Sequence, residues 1–451
     1  MNSLVLSNRV TVSKRNESWI LYNWKNGEFA DVYDKTHPIY LCLESGDNKL
    51  RTLQNLNYED FSWLCDKDFF VERKKEEYEL ANNLCYYTMN QELYLIILPA
   101  GEKCNFSCVY CYENNPKEAN MGSKEKEAIL NLVKNVSPEN LHIEYFGGEP
   151  LINKNFIVEL NQEVNNIFSS KSNNPVYSMT TNGYLLNINL FKKLYAQGLK
   201  NYQITLDGLE EDHNKTRILK NGKGSYFKIF QNLRRISSLN ENYNFQITIR
   251  VNFSDEYKSQ ERKVAFITEM RRYFRNDRRF NFRFRPISDL ASINNKKSGS
   301  AIYCSRLNAS KIQKEFEDLA NFHELNLADI SMYDNKFAYT CYAGKPNSFI
   351  VSPDLSLKKC TVALDFPMNK VGYLSCEGYI NKNENWDMWS QDCSDLPDTC
   401  SGCFFVYQCS GNACPLANMF NGNRVCPDVK LNYSHKVGII IDQLNLLNKS
   451  E

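Results

Sequence analysis

Between residues 93 and 285, short apolar runs of strand character alternate with segments of helical period, and this alternation limits the fold more than any other property of the chain. Residues 93–98, 142–146, 177–181, 202–206, 245–252 and 280–285 read as strands. Helical period covers about 124–134, 155–167, 189–197, 225–237 and 260–274. Such alternation gives parallel β/α units, because a parallel strand pair needs a long crossover that a helix fills. Six units predict an α/β fold built on a partial (β/α)6 barrel. Reactive groups in parallel barrels collect at the carboxyl ends of the strands, so the loops after these runs are where chemistry is expected.

The loop after the first run is Glu102-Lys-Cys104-Asn-Phe-Ser-Cys108-Val-Tyr-Cys111-Tyr112, with three and then two residues between the cysteines. A structural zinc site closes with four ligands; this loop supplies three, with no fourth Cys or His nearby. Three thiolates suit an iron–sulfur cubane that keeps one iron open. After the second run comes Phe146-Gly147-Gly148-Glu149-Pro150, where glycines permit close backbone approach and a carboxylate suits an ammonium. Thr180-Thr181-Asn182-Gly183 closes the third run. Thr205-Leu206-Asp207-Gly208 closes the fourth, followed by His213 and Arg217.

A length of 451 residues predicts two or three domains. The formal charge of +1 exerts no global pull toward nucleic acid or membrane. No stretch of eighteen apolar residues occurs and the first residues lack a long apolar core, so a cytoplasmic protein is expected. Sixteen cysteines in such a chain argue for metal ligation over disulfides. They crowd between Cys360 and Cys426, with Cys341 just upstream.

In order and spacing these motifs resemble those of the radical S-adenosylmethionine (SAM) enzymes, and the series as a whole is similar to radical SAM peptide and sulfatase maturases. The resemblance implies that the open iron takes the amino and carboxylate groups of SAM. Gly147, Gly148 and Glu149 would receive the SAM ammonium, and Thr205 and Arg217 would help hold the molecule. Cys400-Ser-Gly-Cys403, Cys409, Cys414 and Cys426-Pro427, with Cys341 and Cys360 upstream, resemble the SPASM extension, which holds two auxiliary clusters. On that pattern Cys400, Cys403, Cys409 and Cys426 hold the cluster farther from SAM, and Cys341, Cys360 and Cys414 the nearer one. The implied cofactors are SAM and three [4Fe-4S] clusters.

The chain departs from the SPASM pattern in two places. Four residues separate Cys409 from Cys414 where three are usual, and Leu355 stands where a glycine commonly precedes the second cysteine. The nearer cluster also lacks an obvious fourth ligand. Cys304, Cys376 and Cys393 are candidates, and an iron left open to a substrate thiolate or water is the alternative.

Residues 1–90 have another texture. A hairpin around Lys25-Asn26-Gly27, short helices at 38–43 and 58–66, and the apolar Phe69-Phe-Val resemble the winged-helix module that recognises leader peptides by strand addition. The alternative is a domain that only packs on the barrel or on another copy. Cys42, Cys65 and Cys85 lie among apolar residues and read as core thiols. The expected organisation is a leader-recognition-like domain at 1–90, the barrel at 91–300, a helical bridge at 301–337, SPASM at 338–430 and a terminal helix at 431–451.

Residues 271–285 interleave arginine with aromatics, which suggests either RNA stacking or a helix end followed by a strand with alternating Phe and Arg. The alternating strand is preferred; arginines facing the barrel mouth would suit an acidic peptide or the SAM carboxylate. The five histidines are scattered and make no zinc-protease pattern, and no phosphate-binding loop appears. No residue is nominated as catalytic base: Asp207, Glu149 and Tyr112 lie near strand ends without a reason to prefer one.

The resemblance implies reductive cleavage of SAM to methionine and a 5′-deoxyadenosyl radical, hydrogen abstraction from a peptide carbon, and closure to an intramolecular crosslink with the leftover electron passed to an auxiliary cluster. The style of the first cysteine loop is most similar to enzymes that make carbon–carbon bonds, including streptide-type Lys–Trp cyclases. Thioether-forming maturases and sulfatase-type formylglycine-forming maturases are the alternatives, and a redox-sensing cluster protein the reading outside enzymes. The implied partners are a ribosomally made precursor peptide with its leader and an electron donor such as flavodoxin or ferredoxin, with neither nucleic acid nor membrane.

Overall fold

In a computed structural model of the chain the six expected strands form at Glu92–Ile97 (β1), Asn140–Tyr145 (β2), Val176–Thr181 (β3), Leu199–Thr205 (β4), Gln246–Phe253 (β5) and Phe280–Pro286 (β6). The structure describes residues 4–46, 56–72, 92–113, 120–275, 277–290, 293, 303–328, 340–389, 396, 398–411, 413–422 and 424–448. All six strands are parallel and neighbour one another in chain order. The intervening helices are Ser123–Val136, Lys154–Phe168, Ile188–Ala196, Tyr226–Ser237 and Gln260–Phe274.

Alternation along the strands explains why the sheet is one-sided. In β6, Phe280, Phe282 and Phe284 are buried toward the helices, where Phe284 stacks on Phe316 of the helix Arg306–Phe322 at 4.7 Å between ring centroids. Each such ring removed from water stabilises the fold by about 1.5–3 kcal/mol. Asn281, Arg283 and Arg285 take the opposite face, as do His142 and Glu144 on β2. The arginine–aromatic stretch is therefore a helix end followed by an alternating strand.

Beyond residue 338 the division differs from the expected one. Ser348–Val351 (β7) pairs parallel with β1, and three antiparallel strands, Ser356–Lys358, Lys370–Leu374 and Ile380–Lys382, continue the sheet to ten strands. Gln91–Ala328 and Asn347–Trp389 thus form one compact unit. The physical reason is the bare edge of β1, whose backbone groups need a partner. At the β7 turn Leu355 takes φ 60°, so the left-handed position expected for a glycine persists with a leucine in it.

The second unit comprises Met1–Asn90, Asp329–Pro346 and Ser390–Glu451. Val10–Arg15, Ser18–Asn23 and Phe29–Val32 make an antiparallel sheet, and Leu4–Leu6 pairs with Phe70–Glu72. The helices Pro38–Glu44 and Tyr58–Asp66 lie where expected, the latter capped by Asn57, which accepts from Asp60 N. Cys42 is buried with Leu21, Ile39 and Phe69, and Cys65 packs against them; Cys85 lies outside the described residues. A second core joins Tyr22 and Trp24 to Phe405, Cys409, Ile440 and Ile441, the last two from the helix Tyr433–Asn448. The first strands and the cysteine-rich segment near residue 400 therefore share one core instead of forming separate domains. Among the described residues no helix is long and apolar enough to cross a membrane.

Candidate functional site

The carboxyl ends of the strands surround a cavity of about 430 Å³, within the size range of small-molecule sites. Its lining includes Cys104, Cys108, Cys111, Gly147, Gly148, Thr205 and Arg217, so seven residues named from motifs scattered over the sequence meet in one place.

The cysteine loop is held from three sides. Phe106–Cys108 pairs antiparallel with Arg217–Leu219, and Arg217 lies opposite Cys108. Asn182 of the Thr-Thr-Asn-Gly turn donates from Nδ2 to Asn105 Oδ1 at 2.7 Å. Gly148 N donates to Gly101 O at 3.2 Å and Glu149 N to Lys103 O at 2.8 Å. The approach is so close that a Cβ on Gly148 would stand 2.4 Å from the carbonyl oxygens of Glu102 and Lys103, and one on Gly147, at φ 104°, 2.3 Å from Gly101 O. The glycines are thus required by packing against the cysteine loop as well as by any ligand.

Glu149 sits differently from expectation. Its side chain is fully buried and does not line the cavity. It accepts from Thr181 Oγ1 at 2.7 and 2.9 Å, from Asn182 N at 2.8 Å and from Leu151 N at 3.0 Å. The carboxylate ties the ends of β2 and β3 together, and its oxygens are already engaged. Burial raises its pKa, opposed by these hydrogen bonds.

Arg217 is buried and lines the cavity. Its Nη1 donates to Tyr110 Oη at 2.9 Å, and its guanidinium lies over the Phe106 ring at 5.6 Å. Tyr110 donates to Asp207 and accepts from Asn252 Nδ2 at 3.1 Å. Asp207 also accepts from Asn252 N at 2.9 Å, so this buried carboxylate braces Tyr110 and is engaged like Glu149. His213 accepts at Nδ1 from Asp207 N at 3.1 Å and meets Ser225 Oγ through Nε2 at 3.0 Å. Burial holds its pKa far down, which keeps it neutral in a structural relay. Tyr110, Asn252 and Arg250 are site residues that sequence reasoning did not single out for these roles. Only the position of Tyr110 directly before the last loop cysteine offered a signal.

The residues present fit the groups that the motifs imply. Burial pushes the Cys104 thiol up to about 12 and raises Cys108, with Arg217 opposing the latter. Thiols this hard to ionise lose their protons when a cation takes them. Arg217 Nε is buried without a hydrogen-bond partner among the described residues, a donor suited to the carboxylate of SAM. Among the described residues no group of three or more His, Cys, Asp or Glu is set to hold a single metal ion; a cubane differs in giving each ligand its own iron.

In the other unit Cys403 and Cys426 lie near enough to Cys400 and Cys409 to make both thiols harder to ionise. Burial takes Cys409 to about 12, with Cys403, Cys400 and Cys426 adding to it. Lys430 Nζ reaches Cys426 Sγ at 3.5 Å. Arg9, buried, donates to Cys403 O at 2.5 Å and Ser401 O at 2.9 Å. Cys341 and Cys414 belong to this unit and Cys360 to the first. Of the fourth-ligand candidates, Cys304 donates to Asp255 Oδ1 at 3.4 Å, Cys376 is exposed, and Cys393 lies outside the described residues.

Comparison with known proteins agrees with this geometry. The Radical SAM superfamily pattern matches residues 98–256. The cysteine-type anaerobic sulfatase-maturating enzyme of Clostridium novyi is 30% identical over 36% of this chain and 46% of its own. The radical SAM cyclopropyl synthase TigE of Paramaledivibacter caminithermalis is 25% identical over 54% of this chain and 56% of its own. The chain thus spans about half the length of these curated relatives. The solved structure of native anSMEcpe with bound AdoMet and Cp18Cys peptide matches with a TM-score of 0.58 at 17% identity, over 80% of this chain and 100% of that one. Fold and site together define the class: residues 98–256 are a radical SAM domain, set in a large, mostly parallel sheet.

Proposed function

We propose that the chain is a radical SAM peptide maturase that installs an intramolecular crosslink, in the first instance a carbon–carbon bond such as Lys–Trp, in a ribosomally made precursor peptide. The observation that carries this reading is the pairing of a SAM-type cavity, lined by Cys104, Cys108, Cys111, Thr205 and Arg217, with a second gathered set of thiols, Cys400, Cys403, Cys409 and Cys426. The chemistry these groups supply when bound is reductive cleavage of SAM to a 5′-deoxyadenosyl radical. Arg217 and Thr205 orient SAM beside the loop, and Tyr110 holds Arg217 in place. The second thiol set suits auxiliary clusters that remove the electron left after bond formation; Cys341, Cys360 and Cys414 are proposed for the nearer of the two. The sheet of residues 10–32 with its two helices is proposed to dock the leader. A ferredoxin or flavodoxin is the proposed electron donor, and the cytoplasm the proposed compartment.

A second reading, oxidation of a Cys or Ser to formylglycine on a protein substrate, is favoured by the likeness to the Clostridium novyi enzyme. One experiment separates them. Anaerobically reconstituted protein is incubated with SAM, a reductant and each short peptide encoded beside its gene, and peptide masses and fragments are recorded. A loss of two hydrogens with a gap in fragmentation is expected. Unchanged peptides alongside continued 5′-deoxyadenosine formation would overturn the crosslinking reading and favour the larger substrate. In the variant Cys104→Ala/Cys108→Ala/Cys111→Ala, SAM cleavage is lost while the remaining iron is retained.

A further inference from the structure

Arginines concentrate on one face of the β5–β6 edge, and one of them reaches the site. Arg250 of β5 is the register partner of Arg283 on β6, and Asn252 that of Arg285, so all three arginines share the sheet face opposite the buried phenylalanines. Arg250 lines the cavity, and its Nε donates to Asn252 Oδ1 at 2.8 Å, which fixes the guanidinium. Directly paired like charges on neighbouring strands are destabilising. Burial lowers Arg250, and Arg285 and Arg283 push it the same way. The glutamate on that face, Glu144, accepts from Tyr94 and from Thr180 Oγ1 at 3.1 Å; burial raises its pKa, opposed by these hydrogen bonds and by Arg283. Among the described residues Glu113, Arg217 and Lys220 are the other ionisable side chains lining the cavity besides its cysteines and tyrosines. The cysteine loop and the Gly-Gly-Glu turn follow β1 and β2, while β5 and β6 form the opposite edge of the six-strand array. SAM carries one carboxylate, and the buried, unpartnered Arg217 Nε beside Cys108 suits it.

We propose that the β5–β6 wall is a carboxylate subsite for the substrate, in which Arg250 contacts an acidic group of the peptide and Arg283 and Arg285 supply the supporting field. This rests on the peptide-maturase reading and deepens it: the modified segment carries an Asp or Glu side chain, or the peptide's own carboxyl terminus, close to the reacting residue. A carboxylate against a guanidinium in a confined cavity makes a charge-assisted bond, whose removal weakens binding about tenfold to a hundredfold.

The test compares holoenzyme with Arg250→Gln on the peptide that is crosslinked in the assay above, synthesised in natural form, with each acidic residue replaced by its amide, and with an amidated terminus. KM is expected to rise at least tenfold for Arg250→Gln on the natural peptide. The wild type should show the same rise on one neutralised peptide, whose identity tells side chain from terminus, and the two changes combined should add nothing further. SAM affinity should stay within twofold. A rise in the SAM Kd with no sensitivity to peptide charge overturns the proposal and assigns Arg250 to SAM. Arg283→Gln, whose side chain is not among those lining the cavity, should act in the same direction by a smaller factor; iron content checks that both variants are folded.

A second measurement does not depend on crosslinking. From a random pool of N-acetyl pentapeptide amides, wild-type holoenzyme should retain sequences enriched in Asp and Glu, and Arg250→Gln should not. Enrichment without any crosslinked product would sink the crosslinking reading and leave the subsite standing. A parallel pool with free carboxyl termini covers the terminal case: no enrichment among the amides together with no better retention of the free acids overturns the subsite.

Discussion

Glu149→Gln separates two roles for the Gly-Gly-Glu-Pro turn. If the carboxylate received the SAM ammonium, its loss would appear first in SAM affinity. The structure instead has the two oxygens accepting from Thr181 Oγ1, Asn182 N and Leu151 N, with the side chain wholly buried. Gln keeps one oxygen, enough for one of the two backbone N–H groups, and turns an amide NH2 toward the other. The Thr181 hydroxyl can rotate to accept, but one buried N–H then faces a donor. That mismatch costs about 1–3 kcal/mol, and replacing charge-assisted bonds by neutral ones adds about 1 kcal/mol more. The sum, about 2–4 kcal/mol, corresponds to a fall in Tm of roughly 3–7 °C for a unit of this size. Calorimetry under anaerobic conditions reads the Tm, and equilibrium dialysis reads the SAM Kd of the folded fraction, expected within threefold of wild type. An unchanged Tm with a SAM Kd raised tenfold or more would refute the reasoning.

Further substitutions probe other parts of the molecule. Gly148→Ala places a Cβ 2.4 Å from two carbonyl oxygens, so the cysteine loop must move; iron bound at Cys104, Cys108 and Cys111 should fall by more than half by iron quantitation in a variant lacking the other cysteine set. Arg9→Met leaves the carbonyls of Ser401 and Cys403 without their donor, and should lower stability by about 2–4 kcal/mol in urea titration. Leu355→Gly relieves about 1 kcal/mol of left-handed strain yet empties a buried position worth about 2–5 kcal/mol, so net destabilisation is expected. For Glu144, burial raises the folded pKa above the unfolded value of 4.5. The native state then holds a proton that the unfolded state has released, and stability contributed by this group falls as pH rises through the window above 4.5. Glu144→Gln should remove that fall; equal slopes of stability against pH from 5 to 7 in variant and wild type would contradict it.

The parallel sheet was legible because its two periods differ. Runs such as 142–146 and 280–285 alternate or are continuously apolar, the segments between them have helical period, and strand ends agree with the structure to within a few residues. The continuation of the sheet by β7 was hidden for a physical reason. Ser348–Val351 is four residues buried on both faces, too short for periodicity, and its place is decided by the open edge of β1, distant in the chain. The joint core of Trp24 with Phe405 and Cys409 was hidden likewise, since no local pattern reports which distant apolar surface a tryptophan will meet.

Within the site, legibility divides by the kind of constraint. Cysteines and glycines were readable because spacing and the lack of a Cβ are themselves the chemistry: Cys104, Cys108, Cys111, Gly147 and Gly148 all line the cavity. Carboxylates were not, because the role of an acid depends on which donors surround it. Glu149 and Asp207 look alike from sequence as acids at strand ends, and both prove to be internal acceptors that brace the backbone and Tyr110. Arg250 was missed for the converse reason: a single arginine within a strand carries no pattern, and its significance comes from lying across from Arg283. A chain of this class therefore shows its cofactor loops in one dimension, while the groups that position and select the substrate emerge only when strands are placed side by side.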